Sequence, residues 1–416
     1  MVGRRGALGF GLGAMLAACG RGAGSDRLAF WAMSQEGEFA PLVTSGFERA
    51  TGIGVDVQAL PWTAAHQKLL TTYVGGSLPD VFMVKNSWLP ELAMLGAFGE
   101  PPAGASRRLA DRLPSALDAV RVGGRAVAAP WMVDSWAQYY RPDLLAEAGH
   151  PEPPGSWAEW TRMARSLKRR RPDDFVTLHL LDWPEPLMNF AAQTGAPMLR
   201  DRDARGDFAS PGFRDALAFY KSVFDQGFAP PVVGAEMGDS LIALRRGFIA
   251  ILPSNAPTMG DLRRRTSWFP PRLWRVARTP GPSGPAAGIA NGYALATGST
   301  TRDAAHAWRF VDYLCRPDIQ ARFFAVTGDL PSHHAAWNAP ELARDPAAAA
   351  FGAQAADDVA PPAVPEWERI VTEVQLVAEA LVRGRFGVDE AVAEMNARAD
   401  KILEKRRSLL DRGLLA

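Results

Sequence analysis

The chain has 416 residues, a formal net charge of +1, and 47% apolar and 22% charged residues. That length can bury a large core and fits two domains, and the composition is globular rather than disordered or fibrous. The near-zero charge gives no reason to expect nucleic acid or an anionic membrane surface as partner, and Cys19 and Cys315 do not read as a disulfide pair.

Residues 1–25 read as a targeting segment and stand outside the fold. Arg4-Arg5 is followed by the apolar and small residues Ala7 to Ala18, too short a run to span a bilayer stably. The run ends in Leu16-Ala17-Ala18-Cys19-Gly20, which resembles the bacterial lipobox, where cleavage precedes a cysteine that becomes lipidated. Leu28 to Trp31 predicts a strand and Ala32 to Glu38 a loop. Phe39, Leu42, Val43 and Phe47 form a helical stripe that stops at Gly52. Ile53 to Leu60 alternates as a second strand, Ala64 to Val74 is a helix, and Val81 to Val84 is a buried third strand. Strand–helix order of this kind implies a mainly parallel sheet with right-handed crossovers.

Gly123-Gly124 predicts a hairpin turn. Ser156 is a good N-cap for a helix from Trp157 to Lys168, and the basic run Lys168 to Arg171 suits a solvated helix end. Phe213 to Phe224 and Ser240 to Arg245 read as helices, and Phe248 to Leu252 as a buried strand ending in Pro253-Ser254-Asn255. Ile289 to Ala296 leads into a helix from Arg302 to Cys315. Pro317 and Gly328 follow the start-and-stop asymmetry of the next helix. Val388 to Leu410 predicts one long closing helix.

No P-loop, H-E-x-x-H, C-x-x-C or G-x-S-x-G motif is present. His333-His334 is adjacent rather than helically spaced, so no metal site and no cofactor is expected. What recurs is a strand end followed by a polar or aromatic residue: Trp31 with Gln35-Glu36, Trp62, Asn86 with Trp88, Trp131 with Asp134, Asn255, and Asn291-Gly292-Tyr293. Such positions lie where ligands collect in α/β sheets. Carboxylates and carboxamides serve sugar hydroxyls, and flat aromatic rings serve sugar C–H faces. Trp31 and Trp62 fit the core equally well, and Asp134 also suits a hinge-capping role.

Four segments carry a family resemblance. They are Pro79 to Phe98, Val122 to Asp134 with Tyr139 to Leu145, Arg246 to Ile251, and Gly328-Asp329-Leu330-Pro331. Together they resemble the sugar-type extracellular solute-binding proteins of ABC importers, the class of the maltose- and trehalose-binding proteins. The resemblance implies an α/β, two-lobed periplasmic binding protein fold of the class II type, each lobe a mainly parallel sheet, with the ligand between. It implies three crossings between lobes, giving residues 26–133 plus 278–332 as lobe one and 134–277 plus 333–416 as lobe two. By that resemblance Glu36, Trp88, Asp134 and Tyr293 contact ligand, although Tyr293 stands where relatives carry tryptophan. The implied protein is a monomeric lipoprotein, anchored through Cys19 in the periplasm or at the cell surface, that passes a sugar to permease subunits and is not an enzyme. The alternatives are a secreted carbohydrate-active enzyme, or a binder of a non-sugar solute such as a polyol or glycerol phosphate ester.

Overall fold

The computed structural model describes residues 27–103 and 109–415, so Cys19 lies outside the described residues. The described strands are β1 (Arg27–Met33), β2 (Gly54–Leu60), β3 (Val81–Lys85), β4 (Arg121–Val122), β5 (Arg125–Ala126), β6 (Ala129–Asp134), β7 (Trp136–Tyr140), β8 (Leu199–Arg200), β9 (Arg205–Gly206), β10 (Ile251–Asn255), β11 (Arg275–Ala277), β12 (Asn291–Thr297) and β13 (Leu330–Pro331). Six form one sheet in the order β13-β6-β12-β3-β1-β2, and three form a second in the order β10-β7-β11. β4 and β5 pair as the expected hairpin, turning at Gly123 and Gly124 with φ of 57° and 76°.

The expectation of two mainly parallel sheets is corrected. β1 pairs in parallel with β2 and β3. β12 runs antiparallel to β3 and β6, and β13 antiparallel to β6. In the smaller sheet β10 and β11 both oppose β7. Helical crossovers dictate parallel pairing among β1, β2 and β3. The strands that join later come from distant parts of the chain, where no local crossover sets direction.

Three local expectations also change. The loop after β1 is a short helix, Ser34–Phe39, which runs almost directly into Pro41–Thr51, ended by Gly52 at φ 75°. The closing helix is two pieces, Val388–Ile402 and Glu404–Asp411, broken at Leu403. The strand expected from Phe248 to Leu252 runs instead over Ile251–Asn255, with Phe248 left exposed. Other start and stop signals act as written. Ser156 caps Trp157–Arg170 and Glu159 reaches back to the Ser156 N–H, so two otherwise orphaned donors are satisfied. Pro317–Thr327 begins on its proline and stops at Gly328, φ 82°.

The apolar core follows the sheets. Phe30, Val81 to Val84, Leu89 and Phe310 are buried under the large sheet. Tyr139, Phe269 and Phe351 pack about the small one. A helical cluster holds Phe213, Leu217, Ile370, Val374 and Met395. Cys315 belongs to the first cluster, donates its Sγ–H toward the Pro130 carbonyl at 3.6 Å, and has its thiol pushed up to about 11 by burial.

One close backbone approach needs glycine. A Cβ on Gly260, in the helix Thr258–Arg264, would stand 2.1 Å from the carbonyl oxygen of Thr327. The obstacle is main chain and cannot swing aside. Gly260→Ala is therefore expected to destabilise the protein by about 1–3 kcal/mol or more through overpacking, seen as a lower thermal midpoint. An unchanged midpoint would show that the two helices separate freely.

Candidate functional site

The mixed sheet explains how the site assembles. β1, β2, β3 and β6 end at one edge. β12 and β13 run the other way and so begin there, with Asn291 opposite Asp134, Tyr293 opposite Lys85, and Leu330 opposite Val133. Strand ends and strand starts thus deliver Glu36, Trp62, Asn86, Asp134, Tyr293 and Asp329 to the same rim. Gly292 lets two of these strands meet closely, because a Cβ there would lie 2.8 Å from Asn86 Nδ2 and 2.9 Å from the Met132 carbonyl oxygen.

A cleft of about 840 Å³ opens at this rim, lined by Gln35, Glu36, Trp62, Asn255, Arg264 and Tyr293 among others. Its aromatic wall is a cluster of tilted and edge-on rings. Trp62 and Tyr293 have ring centroids 5.1 Å apart at 39°, and Trp88 lies behind Trp62 at 6.0 Å, itself backed by His66 at 4.8 Å. Trp88 is 5% exposed and supports the wall from behind. Arg264 joins the two sides by donating from Nη2 to Gln35 Oε1 at 2.8 Å and to Asp261 Oδ1 at 2.6 Å.

Three buried carboxyls surround this wall. Asp134 Oδ2 accepts from the Tyr293 hydroxyl at 3.0 Å. Glu36 Oε2, Asp134 Oδ1 and Asp329 Oδ2 are buried and have no partner among the described residues. Burial is the main cause that holds all three above their ordinary values. Asp134 is pushed up to about 7 against the help of Tyr293 and Asn255, and Asp329 also to about 7, with Asp134 adding repulsion. Glu36 is raised by burial, then by Asp329 and Asp134. Buried acceptors without donors are costly. A ligand rich in hydroxyls supplies those donors, and Trp62 and Tyr293 offer flat surface to its carbon skeleton.

Of the residues singled out from sequence, Gln35, Glu36, Trp62, Asn255 and Tyr293 line the cleft. Asn86, Asp134, Asn291 and Gly292 stand at the same rim through the pairing of β3, β6 and β12. Trp131 does not belong to it and is corrected to a core residue. It is 1% exposed, stacked on Phe323 at 5.3 Å and edge-on to Phe30 at 6.2 Å. It is the extra residue at a register shift of β6, where Tyr293 pairs with Met132 and Ala294 with Pro130, so alternation does not set its direction and its packing on Phe323 and Phe30 does. Trp31 lies outside the cleft as well, with the Lys68 ammonium 4.4 Å over its ring. Asp329 and Arg264 were missed. The signal for Asp329 was present, since it directly precedes a strand start just as Asn291 opens one.

Comparison with known proteins gives a consistent result. Residues 32–321 match the family model described as bacterial extracellular solute-binding protein. The chain is similar to the structure of the sugar-binding protein MalE from the phytopathogen Xanthomonas citri, with 39% identity and a TM-score of 0.86 over 92% of this chain and 99% of that one. It is 25% identical to a putative binding protein of Brucella abortus over 89% of this chain and 91% of that protein. The GacH receptor of Streptomyces glaucescens, solved unliganded and with acarbose, shares the fold at 21% identity and a TM-score of 0.81, over 91% of this chain and 98% of its own. Among the described residues no helix is long and apolar enough to cross a membrane. A two-lobed α/β architecture, a cleft at the strand ends and a family match over most of the chain agree: the protein belongs to the bacterial extracellular solute-binding proteins.

Proposed function

We propose that this protein is the sugar-capturing component of an ABC importer and hands its ligand to membrane permease subunits. The observation that carries the reading is the set of unpartnered buried carboxyl oxygens on Glu36, Asp134 and Asp329 beside the Trp62–Tyr293 wall. Neutral hydroxyls satisfy such acceptors without a compensating charge, and the ring faces of a sugar cover the aromatic wall. The relatives named above are binding proteins, and we read this chain as binding without catalysis. We assign residues 26–133 and 278–332 to one lobe and 134–277 and 333–416 to the other, with hinge closure around the ligand. Contacts that span the lobes so assigned include Tyr293 with Asp134, Gln35 with Arg264, and Glu368 with Ser87 and Lys85, the latter at 3.6 Å. Lipidation at Cys19 would hold the protein at the outer face of a membrane, where a permease is within reach.

Thermal melting across a panel of sugars, polyols and glycerol phosphate esters tests the reading, because a ligand that binds only the folded state raises its stability, by about 2.7 kcal/mol at a hundred times Kd. At least one sugar is expected to raise the midpoint. A rise with polyols or phosphate esters and with no sugar would sink the assignment.

A further inference from the structure

The buried polar atoms left without partners at the cleft rim are all of one kind. Glu36 Oε2, Asn86 Oδ1, Asp134 Oδ1 and Asp329 Oδ2 are acceptors, and none of the residues placed at this rim leaves a buried donor unpartnered. Asn86 makes the point independently of the acids. It is neutral and 8% exposed, its Nδ2 lies against Gly292, and its oxygen too lacks a donor. The rim therefore calls for a ligand that donates several hydrogen bonds at once.

Hydroxyls answer the oxygens but not the charge. Beyond the effect of burial, Asp134 repels both Glu36 and Asp329, and Asp329 repels Glu36. Glu185 adds to the repulsion at Asp134, and Asp261 to that at Glu36. The cations that face the group are Lys85, which helps Asp134, and Arg264, which helps Asp329. Each is already matched, Lys85 by Glu368 at 3.6 Å and Arg264 by Asp261 at 2.6 Å. Three carboxyls thus share a desolvated cleft that is short of positive charge. A metal ion does not fit, because among the described residues no group of three His, Cys, Asp or Glu side chains is placed to hold one. A protonated primary amine does fit. It brings three N–H donors and one charge, and its bonds to carboxylates are charge-assisted. The ring faces of Trp62 and Tyr293 also favour a cation beside them. A quaternary nitrogen would bring the charge without the donors.

We infer that the solute is an amino sugar whose protonated amine sits among Glu36, Asp134 and Asp329. This deepens the sugar-binding reading and rests on it. Calorimetric titration at pH 6.5 compares glucosamine, galactosamine and mannosamine, each with its neutral parent and its N-acetyl form, and the chitosan disaccharide with cellobiose. Choline and putrescine serve as cations without a sugar. At least one amine is expected to bind about tenfold or more tightly than both of its neutral counterparts. Its binding is expected to release protons, read as a heat that depends on the buffer, because a bound cation favours the ionised form of the carboxyls around it. Asp329→Asn and Asp134→Asn keep an acceptor oxygen and remove a charge. Each is expected to cut the ratio of amine to parent-sugar affinity about tenfold, and melting of the ligand-free variants checks that they fold. A neutral sugar that binds as tightly as its amine, or a ratio that neither variant changes, would overturn the inference and leave the sugar reading standing. Binding of choline or putrescine with no sugar bound would sink both readings, as would a failure of every sugar to bind.

Discussion

Asp134→Ala is expected to cost about 2–4 kcal/mol of ligand affinity, roughly thirty- to several-hundred-fold in Kd. Asp134 is 4% exposed and one of its oxygens is already engaged by the Tyr293 hydroxyl, leaving Oδ1 for the ligand. The substitution removes that acceptor and also strands the Tyr293 hydroxyl, so two polar groups lose partners inside a desolvated cleft. Calorimetric titration with the sugar found by melting reads the loss. Parent-like affinity in a folded Asp134→Ala would move the site elsewhere.

The second large effect is on stability and depends on pH. A carboxyl whose folded pKa is raised holds its proton in the native state after the unfolded chain has lost it. Stability then falls as pH rises from the unfolded value near 4 to the folded value. For Asp134 and Asp329 that window runs from about 4 to about 7. In the ligand-free protein Asp134→Asn and Asp329→Asn are each expected to stabilise relative to the parent at pH 7.5, by on the order of a few kcal/mol, and by little at pH 4. His179 acts in the opposite sense. Burial pushes it down to about 4, so its contribution is lost as pH falls through the same range. It is common to parent and variant and cancels in their difference. Melting curves of the three proteins between pH 4 and 8 check the point, and a difference that does not grow with pH would mean these carboxyls are ionised in the native cleft. The two predictions are linked: the burial that makes Asp134 useful to a ligand makes the empty protein less stable.

The first three strands and their helices were legible because each signal is local. A buried run such as Val81 to Val84, a stripe such as Phe39 to Phe47 and a stop such as Gly52 all lie within a few residues of what they specify. The direction of β12 was not legible, since its partners Val84 and Asp134 lie far away in sequence and no crossover constrains it. That direction decides the site, because it brings Asn291 and Tyr293 to the same edge as Asp134. Trp131 shows the limit of residue type alone. Its strand end was correctly found, yet the side its ring faces depends on an irregularity in the pairing of β6 with β12 and on whether Phe323 waits there. Asp329 and Arg264 escaped for a related reason: each becomes informative only once distant strands and helices are set beside one another.

Cys315 carries a practical corollary. It is the free cysteine among residues 27–103 and 109–415, and it is 2% exposed with a thiol shifted away from the reactive thiolate. Oxidants and alkylating reagents should therefore pass it by in the native protein. Among the described residues, a single cysteine introduced on either side of the cleft would be the one labelled. That part of the chain is thus prepared for a dye that reports on its ligand, with no exposed native thiol to remove first.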